Sequence, residues 1–261
     1  MERQIQNVAW DGHGSISLGQ WGSLTVHWST PPASGFVSPA LLKYPVLVSR
    51  HCLDTFITVS ILCQPLGMLR ASGLVKDGHA ILLIGPHGIG KSTTTLHLIR
   101  AGYRLISDTS MYARQRGEQI ELLGYAVGEL KLTPEGLALF LELQGRASDL
   151  SIDGRRKPIF NLRELLPESV ESNAVTPRSI ALCLTRRSTD GRTHLLQLDE
   201  DITLQQIIGD TCYLDEPQVM EQNLALLHQL ILRAHNFILE LGSDPAAIVN
   251  TLEQTRKAYL Q

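Results

Sequence analysis

Gly85-Pro86-His87-Gly88-Ile89-Gly90-Lys91-Ser92 fits G-x-x-x-x-G-K-[ST], the phosphate-gripping P-loop, and its reading decides the fold. Each residue type follows from one task, holding a triphosphate tail. Glycines let backbone N–H groups turn inward around phosphate oxygens, Lys91 supplies a point charge for the β/γ-phosphates, and the Ser92 hydroxyl can ligate Mg²⁺. Ahead of the loop, Ala80-Ile81-Leu82-Leu83-Ile84 is a short apolar run of buried-strand type. Behind it, Ser92 to Arg100 has a helical pattern that closes at Ala101-Gly102. A strand, a glycine turn and a helix N-terminus together make an anion site, because free N–H groups and the helix dipole point at the ligand. A chance match in a glycine-containing turn would lack both flanks.

The composition narrows the remaining choices. The chain has 261 residues, of which 43% are hydrophobic, enough for one large domain or a core with a smaller attachment. Net charge is -3 and pI about 6.3, so no global basic field recruits nucleic acid or anionic lipid. Cys52, Cys63, Cys183 and Cys212 are scattered, with no C-x-x-C pair to suggest zinc. No signal-type segment follows Met1, and the apolar-rich stretch Phe56–Leu69 is broken by Gln64, Pro65 and Gly67. A soluble, cytoplasmic protein without nucleic-acid or membrane partners is expected.

Residues 1–49 alternate polar and apolar with Gly and Pro punctuation, predicting a small antiparallel β layer in which Trp10, Trp21 and Trp28 pack. A helix is expected early in Arg50–Leu69, with Leu53, Phe56, Ile57 and Ile61 on one face. Lys76-Asp77-Gly78-His79 between apolar runs predicts a hairpin leading into the P-loop strand. Strands are expected at Tyr103–Asp108, Glu118–Tyr125 and Asn236–Leu241. Ser179–Thr185 and Thr193–Leu198 are expected to form a second hairpin around Ser188–Gly191. Helices are predicted over Leu137–Leu143, over Pro217–Ala234, and from Ser243-Asp244-Pro245 to Leu252 or a little beyond, with residues 146–173 looser. So many hairpins argue for a mixed sheet over a simple βαβ series.

A P-loop needs an acid at the end of a neighbouring strand, to complete the metal shell or orient the nucleophile. Asp108 ends the strand that follows the P-loop helix, only 17 residues after Lys91, a short spacing that is itself diagnostic. Arg155, Arg156 and Lys157, in a predicted loop, could add charge at a γ-phosphate or form a solvated run. Arg163, Arg186 and Arg187 read as surface residues, and the histidines outside the loop show no metal-ligand spacing.

Leu82 to Thr93, continued without a gap through Leu98 to Asp108, resembles the C-terminal catalytic domain of the HPr serine kinase group and its shorter relatives, including kinases encoded with lasso-peptide precursors. Lys157–Leu162, Ile180–Arg186 and Ile238–Gly242 are similar to the short relatives as well, so the resemblance runs from Leu69 to the C-terminus. It implies an α/β fold, a phosphoenolpyruvate-carboxykinase-like P-loop domain with mixed sheets, here preceded by the small N-terminal β layer. The expected division is 1–68, a β-rich layer plus helix, and 69–261, the kinase-like domain. Full HPr kinases carry an N-terminal domain of another type, so regulation through HPr is the less expected role.

The resemblance further implies ATP and Mg²⁺. Nucleotide would be bound by Gly85, Pro86, His87, Gly88, Ile89, Gly90, Lys91, Ser92 and Thr93, and metal by Ser92 and Asp108. Asp108 would deprotonate a substrate serine, since an alcohol is too weak an acid to ionise alone near neutral pH. With Lys91, it forms the expected catalytic set, and the partner is a protein or peptide that bears a serine. The family often forms oligomers, so a homo-oligomer is among the expected partners. Two positions depart from the family pattern. Thr109 stands where a second acid is usual, and Arg70 stands where a histidine is usual, although His87 could take over part of that role. These departures keep a second expectation open, a nucleotide-binding regulatory or scaffold protein with weakened catalysis.

Overall fold

The computed structural model describes residues 6–10, 13–17, 22–27, 34–45, 48–62, 64–125, 128–151, 157–210 and 217–258. Trp21, Trp28, Arg155 and Arg156 lie outside the described residues, and so does the Trp10 side chain. The chain divides into two compact units, Met1–Gly67 with Tyr213–Ala225, and Met68–Cys212 with Leu226–Gln261.

In the first unit, β1 (Gln6–Trp10), β2 (His13–Ser17), β3 (Gly22–His27) and β4 (Ser34–Val37) form an antiparallel meander in chain order. This is the β layer that its alternation predicts. A π-type turn at Val48–Leu53 leads into α1 (Asp54–Leu62). The turn shifts Leu53 out of α-helical phase. Leu53 and Ile57 are exposed while Phe56 and Ile61 are half-buried, so the single apolar face expected there is split.

The second unit is built on a six-stranded mixed sheet. Its core is three parallel strands, β7 (His79–Ile84), β14 (Ser179–Arg187) and β16 (His235–Leu241), with β14 in the middle. β6 (Ala71–Lys76) pairs antiparallel with β7 through a tight turn. Asp77 (φ +50°) and Gly78 (φ +78°) are consecutive left-handed residues there, the geometry that Asp-Gly favours. β8 (Arg104–Ser107) pairs antiparallel with β6, and β15 (His194–Gln197) closes the other edge against β16. β7 is almost wholly apolar because both of its faces are covered, and Ala80 to Ile84 are all buried. Ile81 and Leu83 join Leu96, Leu98 and Ile99 of α2 (Lys91–Arg100) in the main core.

Two smaller three-stranded sheets flank this one. β9 (Met111–Arg116) stands between β5 (Gly67–Leu69) and β10 (Gln119–Gly124). β13 (Pro158–Asn161) stands between β11 (Glu129–Lys131) and β12 (Asp149–Leu150). The short helices α3 (Pro134–Leu137) and α4 (Leu162–Leu165) adjoin them, followed by α5 (Glu200–Asp210), by α6 (Pro217–Leu232), which belongs to the first unit up to Ala225 and to the second from Leu226, and by α7 (Pro245–Ala258).

Two sequence expectations are corrected. β14 and β15 are not a hairpin, because β16 lies between them. β14 is buried along most of its length and takes a central place, and the turn after it arches over the end of β16. Gly242 sits so close under that turn that a Cβ would meet the backbone of Gly191, Arg192 and Thr193 at 2.7 Å. The helix expected over Leu137–Leu143 is instead α3 and a 3₁₀ turn at Leu141–Leu143. Thr133 starts α3 early by accepting from the Gly136 N–H (3.1 Å), and fully buried Phe140 leaves the helical region between the two.

Candidate functional site

Strand direction brings the site together. β7, β14 and β16 are parallel, and β8 runs the same way because β6 is antiparallel to both β7 and β8. Ile84, Ser107, Arg187 and Leu241 therefore end at one edge of the sheet, the edge outside which α/β sheets bind ligands. A cleft of about 590 Å³ opens there. All the sequence-predicted site residues, Gly85 to Thr93 and Asp108, line it.

Gly85 (φ +156°), Gly88 (φ +80°) and Gly90 (φ +119°) adopt conformations that L side chains rarely take. Gly85 is also held close against β14, whose Thr185 hydroxyl donates to the Ile84 carbonyl at 2.8 Å. A Cβ at Gly85 would overlap Thr185 Oγ1 and lie 2.8 Å from Thr185 O. Gly90 caps α2 without any side-chain acceptor, so the first-turn N–H groups have no side-chain cap and face the cleft. Lys91 folds back on the loop, donating to the Gly85 carbonyl (2.6 Å) and the Pro86 carbonyl (3.1 Å). Thr93 forms part of the wall, near enough to Gly136 of α3 that a Cβ there would meet Thr93 Oγ1 at 3.1 Å.

Asp108 follows β8 directly and is 4% exposed. Its Oδ2 accepts from the Ser92 hydroxyl at 2.9 Å, and its Oδ1 lies 2.8 Å from the Ser72 hydroxyl. Burial pushes the Asp108 carboxyl above its ordinary value. Hydrogen bonds from Ser72, Ser92 and the Lys131 backbone, and the Lys91 charge, oppose that rise without cancelling it. Thr109 is exposed at the rim. Arg70 donates to His87 Nε2, which must accept because a guanidinium has no acceptor. The two departures from the expected residue pattern therefore both lie in the cleft.

Four contributors escaped the sequence reading. Arg187 is exposed, as its surface reading has it, but it also lines the cleft and reaches the loop carbonyl of Gly88 at 3.5 Å. Its place at the carboxyl end of a parallel strand was the usable signal. Lys131 lines the cleft from β11, Thr185 supports Gly85, and Ser72 holds Asp108. None of these three carries a local motif. Lys157 lines the same cleft, whereas Arg186 pairs outward with Glu240 at 2.6 Å.

Among the described residues, no group of three or more His, Cys, Asp or Glu side chains could hold a metal by itself. The adjacent Ser92 hydroxyl and Asp108 carboxylate are hard oxygen donors that suit Mg²⁺ shared with phosphates. Among those residues, no helix is long and apolar enough to cross a membrane.

No family model matches the chain. Curated proteins named HPr kinase/phosphorylase do. The protein from Exiguobacterium sp. is 38% identical over 80 residues, 30% of this chain and 23% of the relative. That from Caldanaerobacter subterraneus is 40% identical over 68 residues, 26% and 20%. That from Halalkalibacterium halodurans is 30% identical over 225 residues, 80% and 64%. The chain thus spans about a fifth of the length of the first two relatives and under two thirds of the third. A solved HPr(Ser) kinase/phosphatase from Coxiella burnetii covers 74% of this chain and 99% of its own, with TM-score 0.43 and 14% identity.

Proposed function

We propose that the chain is an HPr kinase-like, ATP-dependent phosphotransferase acting on a serine hydroxyl of a protein or peptide, as its similarity to proteins named HPr kinase/phosphorylase supports. The observation that carries this reading is the 2.9 Å hydrogen bond from Ser92, in the first turn after the glycine loop, to Asp108, at the end of a strand two places away.

The roles follow from the chemistry of the donors. Backbone N–H groups of Gly88 to Ser92 cradle the β-phosphate, and Lys91 leaves the loop carbonyls to meet the β/γ-phosphates. Ser92 and Asp108 would hold Mg²⁺, which when bound neutralises charge on the β/γ oxygens. Asp108 accepts the proton that the acceptor serine gives up as its oxygen attacks the γ-phosphorus and the bond to the bridging oxygen of the departing ADP breaks. A carboxyl raised by burial is a better proton acceptor than an ordinary one. Arg70, Lys157 and Arg187 spread positive charge over the transferring group.

HPr, the protein in the relatives' name, is the first acceptor to test. A ribosomally made peptide with a terminal serine is the second. Each is incubated with Mg·ATP and the native chain, Lys91→Ala or Asp108→Asn, then weighed intact. Native protein adds about 80 Da, the mass of one phosphoryl group, and the variants do not. One observation favours a different reading, a nucleotide-binding regulator with weakened catalysis. Asp108 already has both carboxylate oxygens engaged by hydroxyls in a buried site. Tight Mg·ATP binding with no mass gain on either acceptor would decide for that reading.

A further inference from the structure

β6 lies between the strand that enters the P-loop and the strand that ends at Asp108. Neighbouring strands stand about 4.8 Å apart, so the two functional ends are separated by roughly 10 Å. Ser72 occupies the gap. Leu83 is its register partner on β7, and its neighbour Gly73 pairs with Ser107 on β8. Ser72 is fully buried, and Ala71, Leu74 and Val75 around it are apolar and buried too. A hydroxyl in such a place costs free energy unless it is paired. Ser72 Oγ lies 2.7 Å from the Asp108 carbonyl and 2.8 Å from its Oδ1. Among the described residues both hydrogen-bond partners of the hydroxyl belong to Asp108.

We infer that Ser72 is a positioning residue, which pins the Asp108 carboxylate from below so that Oδ2 stays turned toward Ser92 and the metal face of the P-loop. The inference rests on the proposed reading of Ser92 and Asp108 as the Mg²⁺-binding pair. Ser72 does not line the cleft. It acts by fixing the carboxylate plane, one oxygen held by the Ser72 proton, which the Asp108 backbone carbonyl shares, and the other by Ser92.

The test reads metal-linked binding, which a merely structural hydroxyl would not affect selectively. Affinity for N-methylanthraniloyl-ATP is measured with Mg²⁺ and in EDTA for the native chain, Ser72→Ala, Asp108→Ala and the double variant. The expected result is an about tenfold smaller Mg²⁺-dependent gain in Ser72→Ala, the worth of one hydrogen bond to a charged group, with EDTA affinity unchanged. In the Asp108→Ala background the Ser72→Ala change has no further effect, because its target is gone. A full Mg²⁺ gain in Ser72→Ala overturns the inference. So does an equal loss with and without Mg²⁺, or an effect that adds undiminished to Asp108→Ala. Because the readout is binding, a chain that binds Mg·ATP yet transfers no phosphoryl group refutes the kinase reading while this result is still decided. A chain that binds no nucleotide refutes both.

Discussion

Gly85→Ala tests whether the loop's first glycine is required by the protein itself or by the ligand. A methyl group there would overlap Thr185 Oγ1 and approach Thr185 O to 2.8 Å. Moving the threonine away breaks its 2.8 Å bond to Ile84 O, worth about 1 kcal/mol. The φ of +156° adds strain of order 1 kcal/mol for a non-glycine residue. Crowding against the backbone of a central strand adds about 1 kcal/mol more. The total is near 3 kcal/mol, which at about 2–4 °C per kcal/mol lowers Tm by roughly 6–12 °C. Gly88 is the control. Its φ of +80° is left-handed too, but a Cβ there meets nothing within 4 Å. Gly88→Ala should cost only about 1 kcal/mol of stability while placing a methyl where a phosphate oxygen must approach. Thermal unfolding without nucleotide and nucleotide titration separate the two variants. If Gly85→Ala melts within about 2 °C of native, or no lower than Gly88→Ala, the steric reasoning fails.

Two further outcomes concern titratable groups. Asp108→Asn should raise Tm of the nucleotide-free protein at pH 7 while abolishing transfer, because burial makes the charged carboxylate costly. A carboxyl raised on folding destabilises once the unfolded chain ionises, so the advantage is absent at about pH 3 and grows above the ordinary carboxylate range; equal Tm values at pH 7 would count against it. Glu253 shows the opposite sign. Burial alone would raise its carboxyl, but hydrogen bonds from Arg256 and Lys76, each at 2.9 Å, outweigh that and hold it down at about 2. Its stabilisation is present above the ordinary value of 4.5 and is lost as pH falls toward 2. Native protein should therefore lose Tm more steeply than Glu253→Gln between those limits, and parallel curves would contradict it.

The place of the glycine loop Gly85–Ser92 in the cleft was legible because its residues are contiguous and follow a strand directly. Asp108 was legible because strand, helix and strand follow one another without a gap. What lay outside local pattern was lost. β9 was missed because Met111 to Arg116 begins apolar and ends charged, with no clean alternation. The β14–β15 hairpin failed because a good turn at Ser188–Gly191 says nothing about which strand fills the space beside it. That place went to β16, some forty residues further on, for a reason of burial across the whole sheet. Ser72 and Arg187 are ordinary residues whose importance comes only from which strands are neighbours.

The order of strands sets a timetable for synthesis. The strand that carries the P-loop is flanked on one side at once, through its hairpin, but its other neighbour begins 100 residues later, where Ser179 pairs with His79. The third parallel strand starts at His235. At ribosomal speeds of about 5–20 residues per second, β14 emerges roughly 5–20 s after β7, and β16 later still. Through that interval β7 exposes one unpaired, strongly apolar edge, the kind that joins other chains. A nascent chain halted before Ser179 therefore displays the glycine loop beside an unpaired, aggregation-prone edge, and chaperone capture should rise in that window.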